Sequence, residues 1–197
     1  MSKFETLDNI LKNNNGYLKT ADVVGAGISK TYLGEYVRER GLERVSYGIY
    51  MSEDAWEDSL FIIQTRYPAA IFSHETALHL LNLAEREPSE YSLTLKSGTN
   101  STALNKEGVR VYKIRNELFE EGLIQVESPF GNALRVYNAE RTICDLIRSR
   151  RNIEIQDLQS AVKGYVKRKS KNIPLLMRYA ELFSVEKIIR QYLEVLL

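Results

Sequence analysis

The pattern of apolar and polar positions in the first fifty residues predicts three helices in succession. The first helix is indicated by apolar residues at the spacing of one helix face: Phe4, Leu7, Ile10 and Leu11. A brief second helix is expected from Ala21 to about Gly25, with Thr20 as its N-cap. The third helix is expected to begin after Ser29, a favourable N-cap, and to stop at Gly41.

Two short stretches with strand-like composition follow the third helix and predict a β-hairpin. They cover residues 42–46 and 49–51, and Tyr47 and Gly48 supply the turn between them. Three helices followed by a two-stranded wing is the arrangement of a winged helix-turn-helix. We therefore expect residues 1–53 to form a winged helix-turn-helix DNA-binding domain.

The third predicted helix has one apolar face and one polar face. Four residues share the first face at 100° per residue: Leu33, Tyr36, Val37 and Arg40. We expect the opposite face to enter the major groove of double-stranded DNA, while Arg38, Arg40 and Arg44 neutralise phosphates. The candidate DNA-binding residues are Ser29, Lys30, Thr31, Tyr32, Gly34, Glu35, Arg38, Arg40, Arg44, Ser46 and Tyr47.

The nearly balanced charge of this domain leaves open the alternative that it contacts protein instead of DNA. Winged helices also serve as dimerisation modules, and residues 1–50 carry seven basic against six acidic side chains. The whole chain is equally balanced, with 27 Lys and Arg, 26 Asp and Glu, and a formal net charge of +1. A nucleic-acid surface therefore has to arise from a local basic patch.

From residue 54 onward the pattern predicts a domain of mixed helices and strands. A helix over 54–67 is expected to bury a stripe made of Trp56, Leu60, Ile63 and Tyr67, and a helix over 74–83 is expected to be capped by Ser73. Strands are predicted at 91–95, 109–114, 124–127 and 134–137, and helices at 139–148, 155–167, 173–183 and 184–196. We expect an α+β fold in which residues 54–197 build a mostly antiparallel sheet with helices on one side.

Several residue types that carry catalysis or bind metals are scarce in the 197 residues. One cysteine excludes an internal disulfide, and two histidines are too few for most metal centres. No apolar run has the length of a membrane span, and residues 1–13 lack a signal-peptide pattern, so we expect a cytoplasmic protein. We expect no cofactor, no metal and no membrane association.

A catalytic role for the remaining candidates is not favoured by their spacing. Glu140 and Asp145 lie about 140° apart on a helix, so they do not share a face as a magnesium or acid/base pair would require. We expect Glu140 and Arg141 to cap the helix and pair with a strand. His74 and His79 fall on different helix faces, and Cys144 lies on an apolar face. The sequence therefore predicts a protein that is not an enzyme.

A basic segment near the end of the chain is hidden by the neutral total. Residues 144–178 hold nine basic and three acidic side chains, a local excess of six positive charges. Lysines recur at 163, 167 and 171, with Tyr165 between them, a composition suited to a phosphate backbone. The candidate C-terminal basic surface consists of Arg148, Arg150, Arg151, Lys163, Lys167, Arg168, Lys169 and Lys171. The alternative is a solvated helix face balanced by acidic loops at 85–90 and 117–121.

Three blocks of the sequence, in this order, resemble the AbiEi family of abortive-infection antitoxins. They are Ser29–Leu33 with Arg44–Tyr50, then Tyr67–Pro68 with Ile71–Leu78, and finally Tyr137–Leu146. Together they span nearly the whole chain. The resemblance implies a transcriptional repressor and antitoxin encoded in a bacterial phage-defence operon.

Members of that family autoregulate by binding inverted repeats in their own promoter through the winged helix. The C-terminal domain counteracts a nucleotidyltransferase toxin, and these type IV toxin-antitoxin systems are not thought to need a stable complex. We expect two copies of the chain on the DNA, because each chain has one recognition helix and the sites are inverted repeats; a chain that is a monomer in solution would pair only upon binding. Two alternatives stay open: a protein-interaction module that sequesters a partner, and a DNA-targeted Mg²⁺ nuclease.

Overall fold

The computed structural model describes residues 2–84 and 86–196 and divides into two compact units. The first unit runs up to Pro68 and also contains Glu127–Leu134. The second unit contains Ala69–Val126 and continues from Arg135. The division predicted after residue 53 thus lies earlier than the structural one.

The first unit begins with α1 (Lys3–Asn13), β1 (Tyr17–Lys19), α2 (Thr20–Gly25), α3 (Lys30–Glu39), β2 (Glu43–Ser46) and β3 (Ile49–Met51), and α4 (Ser59–Arg66) follows. Its three strands form an antiparallel sheet in the order β1-β3-β2. The three predicted helices and the wing are confirmed. Strand β1, which adds a third strand to the wing, was not predicted. Thr20 is the first residue of α2 and not its N-cap.

A compact apolar core holds the three helices together. It consists of Leu7, Leu18, Val23, Ile28, Leu33, Tyr36 and Leu42, all buried. Ser2 and Glu5 form a reciprocal capping box that fixes the start of α1. These seven side chains therefore form one apolar core that α1, α2 and α3 share.

The helix predicted over 54–67 starts later than its apolar pattern suggested. Asp58 is the N-cap of α4, and its side chain accepts a hydrogen bond from the Phe61 N–H. Ahead of it, the Tyr17 hydroxyl accepts from the Asp58 N–H and donates to the Trp56 carbonyl. These bonds keep residues 56–58 out of the helix and attach them to β1, and Trp56 is 77% exposed. The predicted burial of Trp56 was wrong.

The second unit contains most of a five-stranded sheet and most of the helices; Glu127, Ala133 and Leu134, at the ends of two of the strands, belong to the first unit. Its strands are β4 (Ile71–Phe72), β5 (Ser92–Lys96), β6 (Arg110–Ile114), β7 (Leu123–Glu127) and β8 (Ala133–Tyr137). Its helices are α5 (His74–Leu80), α6 (Thr102–Lys106), α7 (Ala139–Arg148), α8 (Ile155–Lys167), α9 (Ile173–Leu182) and α10 (Glu186–Leu196), with short 3₁₀ turns at Asn116–Leu118 and Arg150–Asn152. The α+β class is confirmed.

The strand directions differ from the mostly antiparallel sheet that was expected. The order is β6-β5-β4-β8-β7; β4 is antiparallel to β5, whereas β5 pairs with β6, and β4 with β8, in parallel. The parallel β5–β6 pair is possible because α6 lies in the connection between them, which gives the chain room to cross over. The sheet is therefore mixed.

The C-terminal helices pack together and enclose an extensive apolar cluster. Its centre is formed by residues of α7, α8 and α9, including Ile143, Leu146, Leu158, Val162 and Leu176. None of the helices described in residues 2–84 and 86–196 combines the length and apolar character needed to cross a membrane.

Candidate functional site

The third helix of the first unit presents two distinct faces. Ser29 caps it, since its hydroxyl accepts from the Tyr32 N–H, and Leu33 and Tyr36 are buried in the core. The residues on the opposite face are all exposed: Thr31, Gly34, Glu35 and Arg38. The predicted division of α3 into a core face and an outward face is therefore confirmed.

Three basic side chains of the first unit are free to meet an anionic partner. Lys30 lies at the start of α3, Arg38 in its last turn, and Arg44 in the wing, and all three are exposed. No acidic residue within the described parts of the chain pairs with any of them. Arg38 and Arg44 donate only to nearby carbonyls, those of Gly34 and Ser46, each at 3.3 Å.

The wing tip adds an exposed aromatic ring to this surface. The Tyr47 side chain is 87% exposed, and the guanidinium carbon of Arg44 lies 5.3 Å from its ring centroid. Such an amphipathic ring beside a cation suits contact with sugars and phosphates. We call Lys30, Thr31, Gly34, Glu35, Arg38, Arg44 and Tyr47 together the recognition surface.

Two of the predicted DNA-binding residues instead hold the domain together. Arg40 forms an ion pair with Asp8 at 2.7 Å, and Tyr36 donates its hydroxyl proton to the other oxygen of that carboxylate. These two partners lower the pKa of Asp8, the Tyr36 hydrogen bond being the larger cause. Tyr32 packs edge-on against Phe4 with ring centroids 5.5 Å apart. The side chains of Arg40 and Tyr32, the two predicted DNA-binding residues, therefore contact α1, which leaves them less available for DNA.

The C-terminal basic surface is less continuous than its spacing indicated. Lys163 and Lys167 are exposed and one turn apart on α8, but the helix ends at Lys167 and the Arg168 backbone is extended. Lys171 therefore does not continue the lysine stripe and donates to the Arg168 carbonyl at 3.4 Å. Tyr165 is fully buried, so the expected aromatic contact with a phosphate backbone was wrong.

The remaining members of the C-terminal basic surface differ in their exposure and in their contacts. Arg151 and Lys169 are exposed, and Arg150, also exposed, donates to the Ile147 carbonyl at 3.1 Å. Arg148 is partly buried against Asp145. Of the acidic loops expected to balance these charges, the one at 85–90 begins at Glu85, which lies outside the described residues.

A buried ion pair occupies the centre of the second unit. Arg141 and Asp145 are fully buried, and Arg141 Nε donates to Asp145 Oδ2 at 2.8 Å. The guanidinium also donates to the carbonyls of Leu118 and Glu121 and lies about 4 Å from the ring centroids of Tyr137 and Phe183. The sequence did not indicate this role, because burial of an arginine depends on contacts far along the chain.

Glu140 has different partners from Asp145. Its carboxylate accepts from the Tyr165 hydroxyl at 3.0 Å and from the Asn172 N–H at 3.1 Å, so it connects α7 to the start of α9. The expected capping role belongs instead to Asn138, whose side chain accepts from the Arg141 N–H. Each carboxylate is thus held by its own set of hydrogen bonds.

His74 lies in a buried polar cluster. Its Nδ1 is 3.0 Å from the Ser73 hydroxyl, its Nε2 is 3.1 Å from the Ser149 hydroxyl, and its ring stacks on Tyr112. Burial, followed by the charges of Arg148 and Arg141, holds the pKa of His74 well below its ordinary value. The imidazole is therefore neutral and serves as a hydrogen-bonded core residue.

Cys144 is a free cysteine whose side chain is buried. Burial raises the pKa of the Cys144 thiol, so that it stays protonated. Across residues 2–84 and 86–196, no three His, Cys, Asp or Glu side chains are grouped so that they could hold a metal ion.

The neutral state of His74 predicts a specific loss of stability in acid. The unfolded chain gains a proton on this residue below about pH 6.5, whereas the folded state does not, so stability falls by up to about 1.4 kcal/mol per pH unit. Urea unfolding at several pH values between about 7 and 5 measures this slope. We expect a shallower slope in His74→Gln and the wild-type slope in the matched variant His79→Gln. An unchanged slope in His74→Gln would contradict the assignment.

Comparison with known proteins identifies a shared fold. The sequence matches no protein-family model, and no curated protein shows significant similarity to it. Among solved structures, the fold is similar to that of the RV2827C protein from Mycobacterium tuberculosis, with a TM-score of 0.57 and 12% sequence identity. The similarity covers 92% of this chain and 72% of that chain.

Proposed function

We propose that this chain is a sequence-specific DNA-binding protein whose α3 enters the major groove. The observation that carries the proposal is the recognition surface: an exposed helix face flanked by three basic side chains without acidic partners among the described residues. Thr31 and Glu35 can meet base edges, Glu35 by accepting from a cytosine amino group. Lys30, Arg38 and Arg44 supply phosphate contacts.

We further propose that the DNA target is an inverted repeat in the promoter of the protein's own gene. One recognition helix per chain reads one half-site, so two copies occupy a site of twofold symmetry. A gel shift tests this by comparing DNA from upstream of the gene with an unrelated duplex of the same length. Selective retardation of the upstream DNA is expected, and equal retardation of both would leave only non-specific binding.

The antitoxin role remains a proposal that rests on the resemblance of the three sequence blocks to AbiEi antitoxins. In this proposal the second unit counteracts a nucleotidyltransferase toxin encoded next to it, without a stable complex. Co-expression with the neighbouring gene tests it by cell growth. Growth arrest by the neighbour alone, relieved by this chain, is the expected result, whereas no arrest or no relief would reject the antitoxin role.

A second candidate function, binding of a partner protein, is favoured by an exposed aromatic patch in the first unit. Trp56 and Phe130 are 77% and 44% exposed and border a cavity of about 430 Å³. Large exposed aromatic side chains are typical of contact surfaces. Specific capture of the neighbouring gene product, together with no DNA selectivity in the gel shift, would favour this candidate.

A substitution of Gly34 is expected to change the stability of the protein and its affinity for DNA in opposite directions. Apart from its chain neighbours and the α3 backbone, a Cβ at this position would have no described atom within 4 Å, so Gly34→Ala should stabilise α3 by about 0.5–1 kcal/mol. On DNA the same methyl group would keep the helix backbone away from the groove, so we expect weaker binding. Thermal unfolding and fluorescence anisotropy measure the two effects. A variant that is both more stable and unimpaired in binding would place Gly34 outside the interface.

A further inference from the structure

A cavity of about 270 Å³ opens on the second unit. It lies where the end of β6, the end of α7 and the turn between α9 and α10 come together. The polar side chains that line it are Ser97, Lys113, Arg115, Arg148 and Ser184. Apolar side chains, including Phe183, form the rest of its lining.

The lining carries three positive charges and, among the described residues, no carboxylate. Lys113 and Arg115 are exposed, and neither forms an ion pair with a described residue. Three acidic residues lie close in sequence but outside the cavity lining: Glu117 is exposed, Glu120 lies 3.9 Å from Lys96, and Glu121 lies 3.2 Å from Arg178. The cationic groups therefore concentrate positive potential in the cavity.

Arg148 is held in place by the buried ion pair beneath it. Its Nη2 lies 3.2 Å from Asp145 Oδ1, and its guanidinium carbon lies 5.8 Å from the Phe183 ring centroid. Asp145 also pairs with Arg141. Its single negative charge therefore balances only one of the two arginines. The lowered pKa of the neighbouring His74, to which Arg148 and Arg141 contribute after burial, reflects the same positive field.

We propose that this cavity binds the terminal phosphate or diphosphate group of a small molecule. Lys113, Arg115 and Arg148 supply charged donors, and the Ser97 and Ser184 hydroxyls supply neutral ones, which together match the oxygens of a phosphate. Its volume is slightly below the roughly 300–1,000 Å³ of pockets that enclose a drug-sized ligand, so it suits a compact anionic group. The proposal is independent of DNA binding by the first unit.

Isothermal titration of the full chain with inorganic pyrophosphate tests the site without any DNA. We expect saturable binding at low ionic strength and about tenfold weaker binding by the variant Lys113→Ala/Arg115→Ala. The matched control is Arg86→Ala/Lys106→Ala, which removes the same charge from exposed positions of the second unit outside the cavity lining. This control should bind pyrophosphate as the wild type does. Arg115→Ala alone provides a second, milder variant should the double variant not fold.

Two further titrations distinguish the sources of the phosphate. A nucleoside diphosphate that competes with pyrophosphate would support a small phosphorylated ligand. The proposal is overturned if wild-type protein does not bind pyrophosphate, or if both double variants weaken binding equally. It is also overturned if only a single-stranded oligonucleotide without terminal phosphates binds in a manner that depends on Lys113 and Arg115, since the surface would then recognise a nucleic-acid backbone.

Discussion

Replacing Arg141 by methionine is expected to destabilise the second unit by about 3–5 kcal/mol, because it leaves the Asp145 carboxylate without its main partner in the core. Both side chains are completely buried, and the guanidinium donates to two carbonyls besides the carboxylate. Methionine fills much of the same volume but can satisfy none of these three acceptors. Arg148 retains contact with Asp145, which limits the loss without abolishing it.

Urea unfolding of the full chain, followed by circular dichroism, measures this effect as a lowered midpoint. The double variant Arg141→Met/Asp145→Leu removes both charges and is expected to recover part of the lost stability, because no unpaired carboxylate then remains buried. The surface variant Arg190→Met is the control, since it removes an arginine whose partner Glu186 is partly exposed. A loss no larger in Arg141→Met than in Arg190→Met would contradict the role assigned to the buried pair.

Removing the three free cations of the recognition surface should abolish specific DNA binding at physiological salt. For Lys30→Ala/Arg38→Ala/Arg44→Ala we expect at least about a hundredfold loss of affinity, at roughly 1 kcal/mol or more for each contact. The salt dependence should also become weaker, with the slope of log affinity against log salt reduced by about 3. All three side chains are exposed, so the fold should be retained.

Fluorescence anisotropy with a labelled upstream duplex measures both quantities. The matched control is Arg86→Ala/Lys106→Ala/Lys187→Ala, which lowers the net charge by the same amount at exposed positions of the second unit. This control should keep the wild-type affinity within a few-fold. Equal losses in the two triple variants would mean that the charge of the whole chain, and not the recognition surface, governs binding.

The sequence predicted the parts of the fold that depend on local periodicity. The Ser29 cap, the two faces of α3, the wing turn at Tyr47 and Gly48, and the bounds of α7 and α8 all follow from neighbouring residues. Strands β1 and β4 were missed because three and two residues are too few to show an alternating pattern.

Features that depend on residues far apart in the chain could not be predicted from the sequence. The late start of α4 is fixed by Asp58, which accepts from Ser128 and Asn132, residues about seventy positions away. Tyr165 looked like an exposed aromatic between lysines, yet its hydroxyl reaches Glu140 in another helix. The cationic cavity combines residues from β6, α7 and the α9–α10 turn, so no single segment of the sequence reveals it.

A footprint of the purified wild-type protein on the DNA upstream of its own gene, repeated across a salt series, tests the central claim most directly. We expect protection of two half-sites related by an inverted repeat and separated by a multiple of the helical turn, with affinity falling steeply as salt rises. Protection that is uniform along the duplex, or absent even at low salt, would contradict sequence-specific DNA binding and would make the winged helix a protein-contact module.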